Sequence, residues 1–151
     1  MDTIDLKILN SLEGNARATA KEIGQKVNLS IPAVSERMRK LEASGAIEEY
    51  TLKVNREVMG YHLLAFIFVD IDLEENIDPS RMAIKEFPEV LECHHLAGEY
   101  DYLLKVIIKD TKELEHFISK KLKRIKGVQK SNTLISLLTI KEVLNRVEAI
   151  E

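Results

Sequence analysis

The feature that most constrains the fold is an uninterrupted run of seven apolar residues, Leu63 to Val69. The run is far shorter than the ~20 residues needed to cross a membrane, and it predicts a strand from His62 to Leu73. Alternate residues of a strand point to opposite faces, so both faces of this strand carry large apolar side chains. Such a strand is stable only in a sheet that is covered on both sides.

The two faces of this strand have different expected partners. One face carries Ala65, Ile67, Val69 and Ile71, and the other carries Leu64, Phe66 and Phe68. Burying each large apolar side chain stabilises a protein by roughly 1.5–3 kcal/mol. If helices of the same domain cover the first row, we expect Leu64, Phe66 and Phe68 to form the interface of a homodimer. The alternative is a terminal helix that folds back over this face.

The residues after 60 predict a regular alternation of elements. In order, these are the strand His62 to Leu73, a helix opened by Asp78-Pro79 and ending at Phe87-Pro88, a strand Val90 to Ala97, a strand Tyr102 to Ile108, a helix capped by Asp110, and a strand Val128 to Leu138. This βαββαβ order is the ferredoxin-like, split βαβ arrangement. Apolar residues at helical spacing then predict a terminal amphipathic helix carrying Ile140, Val143, Leu144, Val147 and Ile150.

The first sixty residues predict three helices and a linker strand. Thr19 caps the second helix with Glu22 in capping-box position, and Ser30 caps the third with Pro32 in its first turn. Alternation over 47–54 predicts the strand. We therefore expect an α+β protein. Residues 1–60 form a winged-type helix-turn-helix domain, and residues 61–151 form the ferredoxin-like domain with a C-terminal helix.

A short helix, a tight turn and a second helix are typical of modules that place the second helix in the DNA major groove. With Val34 and Leu41 facing inward, the candidates for reading base edges are Ser35, Glu36 and Arg39. The candidates for phosphate contact are Ser30, Pro32, Arg37 and Lys40. Arg37 also lies where it can reach an acidic partner instead. One module makes few contacts, so affinity for double-stranded DNA requires a dimer. The competing interpretation is an ordinary solvated helix face.

Charge and cysteine usage agree with an intracellular DNA-binding protein. The net charge is −3, but residues 1–60 hold nine bases and nine acids, so all the excess acid lies outside the predicted DNA-binding domain. Cys93 is the single cysteine, which excludes an intrachain disulfide and suits a reducing cytoplasm. The acidic start at Asp2 does not look like a signal peptide. We expect a cytoplasmic protein without a membrane partner.

Enzymatic and metal-binding functions have little support in the sequence. Cys93, His94 and His95 are adjacent, but neighbours on a strand point to opposite faces, which leaves two ligands where a structural zinc site needs four. No phosphate loop or nucleophile elbow occurs. We therefore expect no metal, no cofactor and no catalytic residues. The remaining alternatives are a metabolite-sensing oligomer that ignores DNA, or an architectural protein that coats DNA without site preference.

Both predicted domains carry spaced sequence motifs. The N-terminal motifs are Asp5-x-x-Ile8-Leu9-x-x-Leu12, Ala20-x-Glu22-Ile23-Gly24 and Ser30-x-x-x-Val34-x-x-Arg37-x-x-x-Leu41-x-x-x-Gly45-x-Ile47. The C-terminal motif is Leu96-Ala97-Gly98-Glu99-Tyr100-Asp101-Tyr102. Together these motifs resemble the Lrp/AsnC family of transcription regulators. The resemblance extends from about Ile4 to Leu138, and the helical tail departs from it.

The resemblance implies dimers that often assemble into tetramers or octamers, with an amino acid bound between dimers. Carried over by position, the candidate effector residues are Gly98, Tyr100, Asp101, Tyr102, Ser131, Thr133 and Ile135. Asp101 is suited to an α-ammonium group, and backbone N–H groups at Gly98 are suited to a carboxylate. The structural alternative is that Gly98 supplies a positive φ and that Asp101 caps the turn.

Overall fold

The computed structural model describes residues 1–72 and 74–147, which form two compact units. The first unit contains Met1–Lys53 together with the tail that starts at Lys141, and the second contains Val54–Ile140. The division after Lys53 precedes the predicted boundary at Gly60. The tail groups with the first unit, whereas we expected it in the second domain.

The first unit is built on three helices. They are α1 (Thr3–Gly14), α2 (Ala20–Val27) and α3 (Ile31–Ala43). Their core consists of Ile8, Leu12, Ile23, Val34 and Leu41, all less than 9% exposed. The three predicted helices are confirmed, as is the inward orientation of Val34 and Leu41.

Side-chain caps fix where each helix begins. The Thr19 hydroxyl accepts from the Glu22 amide while the Glu22 carboxylate accepts from the Thr19 amide, which confirms the predicted capping box. Ser30 caps α3 as expected. An unpredicted capping box joins Asp2 and Asp5 at the start of α1. Each such cap satisfies backbone N–H groups that the helix leaves open, and typically stabilises by ~1 kcal/mol.

Two predicted elements of this unit are wrong. Residues 47–54 form no strand, and 140–147 form no helix, although Ile150 of the predicted helix lies outside the described residues. A segment with alternating or helical spacing forms its element only if another surface covers its apolar side. These segments lack such cover, because Leu52 and Val143 remain 79% and 68% exposed. Instead, the Lys53 ammonium donates to the backbone carbonyl of Glu142 at 2.7 Å.

The second unit is a four-stranded antiparallel sheet with helices on one face. The strands are β1 (Leu63–Ile71), β2 (Val90–His95), β3 (Tyr102–Ile108) and β4 (Val128–Ile135), in the order β2-β3-β1-β4. This order confirms the ferredoxin-like prediction. β4 ends at Ile135, three residues before the predicted end at Leu138. The next residue, Ser136, still donates a backbone hydrogen bond to the Leu64 carbonyl.

The helices of this unit are α4 (Ile77–Lys85) and α5 (Thr111–His116). α5 continues as a π-helical turn over Phe117–Lys121 and a 3-10 turn over Leu122–Arg124, whereas the sequence predicts one regular helix. Ile84, Phe117 and Leu122 pack on the buried side chains of β1 and β3. The predicted inner row of β1 is confirmed, because Ala65, Ile67 and Val69 are 0% exposed.

One close backbone approach ties β4 to the start of α4. Gly127 has φ of +95°, and a Cβ atom there would lie 2.6 Å from the Cβ of Asn76. The Gly127 carbonyl accepts from the Asp72 amide at 2.7 Å. Only glycine satisfies both this conformation and this contact without strain.

Candidate functional sites

A tight turn between α2 and α3 sets the position of the candidate reading helix. Gly24 is buried against this turn, and a Cβ atom there would lie 2.6 Å from the Leu29 carbonyl oxygen. The Leu29 amide donates to the Gly24 carbonyl at 3.1 Å, and Asn28 adopts the left-handed conformation with φ of +56°. Glycine at this position therefore allows α3 to follow α2 closely.

The outer face of α3 is the candidate nucleic-acid interface. It exposes Pro32, Ser35, Glu36, Arg39 and Lys40, as predicted. Val34 and Leu41 are buried. Ser30 is exposed and its hydroxyl caps the helix at the Ala33 amide, 3.4 Å away. One face of α3 is therefore exposed over its first three turns, and the free backbone N–H groups lie at its N-terminal end.

Arg37 points toward the start of α1 and away from the exposed outer face of α3. Its guanidinium Nη1 binds Asp5 at 2.6 Å and Asp2 at 2.9 Å, the same two residues that form the α1 capping box. These hydrogen bonds, first to Asp5 and then to Asp2, raise the pKa of Arg37. The pKa of Asp2 is lowered, chiefly by the Asp5 amide and then by Arg37. Of the two roles predicted for Arg37, the structure places it with the acidic partner.

Glu36 and Arg39 bind each other on the exposed face. Arg39 donates from Nε and Nη2 to the two carboxylate oxygens of Glu36, at 3.0 and 2.8 Å. This pairing lowers the pKa of Glu36 and raises that of Arg39. Lys40 approaches the same carboxylate at 3.8 Å. A contact of Arg39 with a base through the same Nε and Nη2 donors would therefore have to replace its bond to Glu36.

The uncovered face of the sheet is the candidate dimer interface. Leu64 is 4% exposed and Phe66 and Phe68 are half-buried. Strand register places Leu103, Ile107 and Leu134 on the same face. Apolar side chains on this face therefore come from three strands, although Lys105 and Asn132 lie among them, and Leu134 is 51% exposed. An apolar sheet face of this kind is the type that a second subunit covers.

A charged cluster that sequence reasoning did not identify lies on the same face. The Glu92 carboxylate accepts from Lys105 at 2.9 Å and contacts the His94 ring at 3.0 Å. Contacts with His94 and then with Lys105 lower the pKa of Glu92. Among the described residues, no three His, Cys, Asp or Glu side chains are placed to hold a metal ion.

Asp101 closes the candidate effector loop onto β1. Its Oδ2 accepts from the Ile71 amide at 2.8 Å, and its own amide donates to the Val69 carbonyl at 3.1 Å. Gly98 has no positive φ, and a Cβ atom there would meet no atom within 4 Å. The alternative in which Gly98 supplies a left-handed conformation is therefore wrong, and the space beside it is open.

The two loop tyrosines lie on opposite faces of the sheet. The Tyr100 ring packs 5.4 Å from Phe68 on the uncovered face, with the Lys130 ammonium 4.7 Å above it. Tyr102 is 3% exposed on the helix-covered face, where its hydroxyl accepts from Arg81 Nε at 2.7 Å. One subunit alone does not bring both side chains to one ligand.

The three β4 candidates lie on the helix-covered side of an edge strand. Their register partners on β1 are inner-row residues, in the pairs Ser131 with Val69, Thr133 with Ile67 and Ile135 with Ala65. Val69 also pairs with Tyr102. Ser131 and Tyr102 therefore flank the same inner-row position, while Thr133 and Ile135 lie further along β4.

Throughout the described ranges, no helix is long and apolar enough to span a bilayer.

Comparison with known proteins links both units to one group of regulators. A winged helix-turn-helix DNA-binding family model matches residues 1–48, and an Lrp/AsnC ligand binding domain model matches residues 64–145. The HTH-type transcriptional regulator FL11 of Pyrococcus horikoshii is 34% identical over 142 residues, covering 94% of this chain and 93% of its own length. The leucine-responsive regulatory protein of Escherichia coli is 30% identical, covering 94% and 88%.

Solved structures agree with the sequence matches. A transcriptional regulator of Neisseria meningitidis in complex with L-Met superposes with a TM-score of 0.91 at 33% identity, covering 95% of this chain and 94% of that one. Escherichia coli AsnC gives a TM-score of 0.90 at 25% identity, covering 96% and 97%. These relatives are transcription regulators, in agreement with the expectation that this chain is not an enzyme.

Proposed function

The chain belongs to the Lrp/AsnC family of DNA-binding transcription regulators, and on that premise we propose which of its residues read DNA, pair the subunits and bind the effector. Its partners are DNA, further copies of itself and an amino acid or related metabolite. We place its action in the cytoplasm, because a regulator works where the DNA is and a single cysteine suits a reducing compartment.

For DNA, we propose that Ser35, Glu36 and Arg39 contact base edges. Lys40 and the N-terminal turn at Ser30 and Pro32 contact phosphates. The observation that carries this assignment is the exposed outer face of α3, on a helix whose position is fixed by the turn at Gly24. Arg37 acts indirectly, by holding α3 to the start of α1 through Asp2 and Asp5.

The DNA assignment is tested by comparing Arg39→Ala with Lys40→Ala on selected and scrambled sequences. Loss of a base contact costs about 1–3 kcal/mol and removes preference at one base position, whereas loss of a phosphate contact weakens binding to every sequence alike. The sites are first selected from a random DNA pool, and affinities are measured by fluorescence anisotropy. Equal losses for Arg39→Ala on selected and scrambled duplexes would contradict the base-reading role.

For the subunit interface, we propose that Leu64, Phe66 and Phe68 face the sheet of a second copy. The support is the apolar row that continues across β1, β3 and β4 while helices cover only the other face. Tyr100 and Tyr102 lie on opposite faces, so an effector that contacts both requires residues from more than one subunit.

For the effector, we propose an amino acid bound near Gly98, Tyr100, Asp101 and Tyr102, with Ser131, Thr133 and Ile135 as more distant contributors. Oδ2 of Asp101 is used by the Ile71 amide, while Oδ1 receives no hydrogen bond from the described residues and is suited to an α-ammonium group. The open space beside Gly98 allows a carboxylate to approach backbone N–H groups. The Neisseria relative, solved with L-Met, supports this class of ligand.

The effector assignment is tested by comparing Asp101→Asn with Asp101→Ala. The asparagine retains an oxygen that can accept from the Ile71 amide but lacks the negative charge, so we expect a stable fold with effector affinity about 10- to 100-fold lower. Alanine loses both functions and also destabilises the loop. Calorimetry with the twenty amino acids identifies the ligand, and wild-type affinity of Asp101→Asn for it would refute the ammonium contact.

A further inference from the structure

The second unit has a strongly segregated charge. Residues 116–140 contain six Lys or Arg and no Asp or Glu, whereas residues 61–115 contain thirteen acids and five bases. Five of the six bases fall within residues 120–126. The net charge of −3 for the whole chain therefore conceals a basic segment at the end of α5.

Four of these bases form an exposed surface, which we call the basic ridge: Lys120, Lys123, Arg124 and Lys126. Within the described part of the chain, Lys120, Lys123 and Arg124 have no ion-pair partner. Lys126 has a loose contact with Glu75 at 3.8 Å, and both side chains are more than 70% exposed. The fifth base, Lys121, is half-buried and bound to Glu89.

The backbone under the ridge is anchored in the core. Phe117 and Leu122 are 1% and 0% exposed, and they enclose the π-helical turn that ends at Lys121. The Phe117 ring packs edge-on against Phe87 at 5.6 Å. Because the backbone is already fixed, binding a partner requires ordering of the cationic side chains but not of the main chain beneath them.

An array of cations without interspersed acids fits a partner with closely spaced negative charges. Duplex DNA carries one phosphate charge per ~1.7 Å of helix axis, and contact with it releases condensed counterions. A second copy of the chain fits less well. Three of the acids of residues 61–115, namely Glu89, Glu92 and Asp101, are already bound within the domain.

We propose that the basic ridge is a second DNA contact, which binds phosphates of duplex flanking the site read by α3. It adds affinity and salt dependence without sequence preference, because it offers only ammonium and guanidinium groups to a phosphate backbone. The inference goes beyond the proposed function, which assigns DNA contact to the first unit alone.

The test uses the full-length triple variant Lys120→Gln, Lys123→Gln and Arg124→Gln. The matched control is Lys85→Gln, Lys109→Gln and Lys112→Gln, which removes three exposed lysines from the same unit outside the ridge. Affinity is measured against salt concentration on two duplexes. One contains only the selected site, and the other extends that site by about two helical turns on each side.

We expect the ridge variant to lose about 2 to 3 from the slope of log affinity against log salt on the extended duplex, for each ridge that engages. Its slope on the short duplex and the behaviour of the control variant should match the wild type. An unchanged slope on the extended duplex overturns the proposal. So does a lower oligomer mass of the ridge variant by light scattering without DNA, since the ridge would then bind another copy.

The same measurements separate this proposal from the assignment of α3. Preference for the selected over a scrambled site depends on α3 alone, so it should survive in the ridge variant. A wild type that binds both sequences equally but keeps a ridge-dependent slope would refute base reading by α3 and leave the ridge contact supported.

Discussion

Replacing Gly24 by alanine should destabilise the first unit, although alanine is normally the better helix former. An exposed glycine-to-alanine change inside a helix stabilises by about 0.8–1 kcal/mol. At Gly24, however, the new Cβ would lie 2.6 Å from the Leu29 carbonyl oxygen, a backbone atom that cannot rotate away. Overpacking of this kind costs about 1–3 kcal/mol. We expect a net loss of about 1 kcal/mol and a displaced α3.

Gly14→Ala is the matched control, because Gly14 is also helical and a Cβ there meets no atom within 4 Å. It should stabilise by up to about 1 kcal/mol, so the two variants should differ by about 2 kcal/mol. For a unit of this size that corresponds to a difference in Tm of roughly 10 °C. Thermal unfolding is followed by circular dichroism at one protein concentration, and DNA affinity is measured in parallel. Equal stability of the two variants, with wild-type DNA binding by Gly24→Ala, would refute the steric reasoning.

Three further outcomes test other parts of the fold. Gly127→Ala combines a positive φ with a 2.6 Å approach to Asn76, so it should lower the free energy of unfolding by about 2–3 kcal/mol in urea; a neutral result would contradict the close approach. Burial and then a hydrogen bond to a carboxylate raise the pKa of Tyr50 to about 12, so Tyr50→Phe should remove a late step from the tyrosine absorbance titration. The stability that this group provides is present below pH 10 and is lost as the pH rises to about 12. Phe66→Ser should weaken the dimer in sedimentation by about 10-fold or more, whereas the exposed control Met82→Ser should leave it unchanged; equal behaviour would exclude the sheet interface.

The sequence predicted those elements whose signals are local. Thr19, Glu22 and Ser30 cap helices through contacts within three residues, so the helix starts could be read from spacing alone. The inner row of β1 was predictable because alternation fixes which side chains face the helices. These interactions need no knowledge of distant parts of the chain.

The predictions failed where an element depends on a distant surface. Residues 47–54 and the tail alternate or repeat correctly, but Leu52, Val54 and Val143 remain 79%, 58% and 68% exposed. For the candidate sites, the outward face of α3 was predictable, whereas the binding of Arg37 to Asp2 and Asp5 across 32 or more residues was not. The opposite orientation of Tyr100 and Tyr102 could not be predicted either, because it depends on the register of β3 against β1.

The tail that begins at Lys141 groups with the first unit, so the polypeptide passes between the two units twice, after Lys53 and again after Ile140. A protease that cuts one crossing leaves the other peptide connection intact. A fragment of residues 1–53 alone would also lack the Glu142 carbonyl that accepts a hydrogen bond from the Lys53 ammonium. The proposed effector domain is thus joined to the proposed DNA-binding domain by two peptide connections. Cutting each connection separately and measuring the effect of the effector on DNA affinity would show which of them couples the two domains.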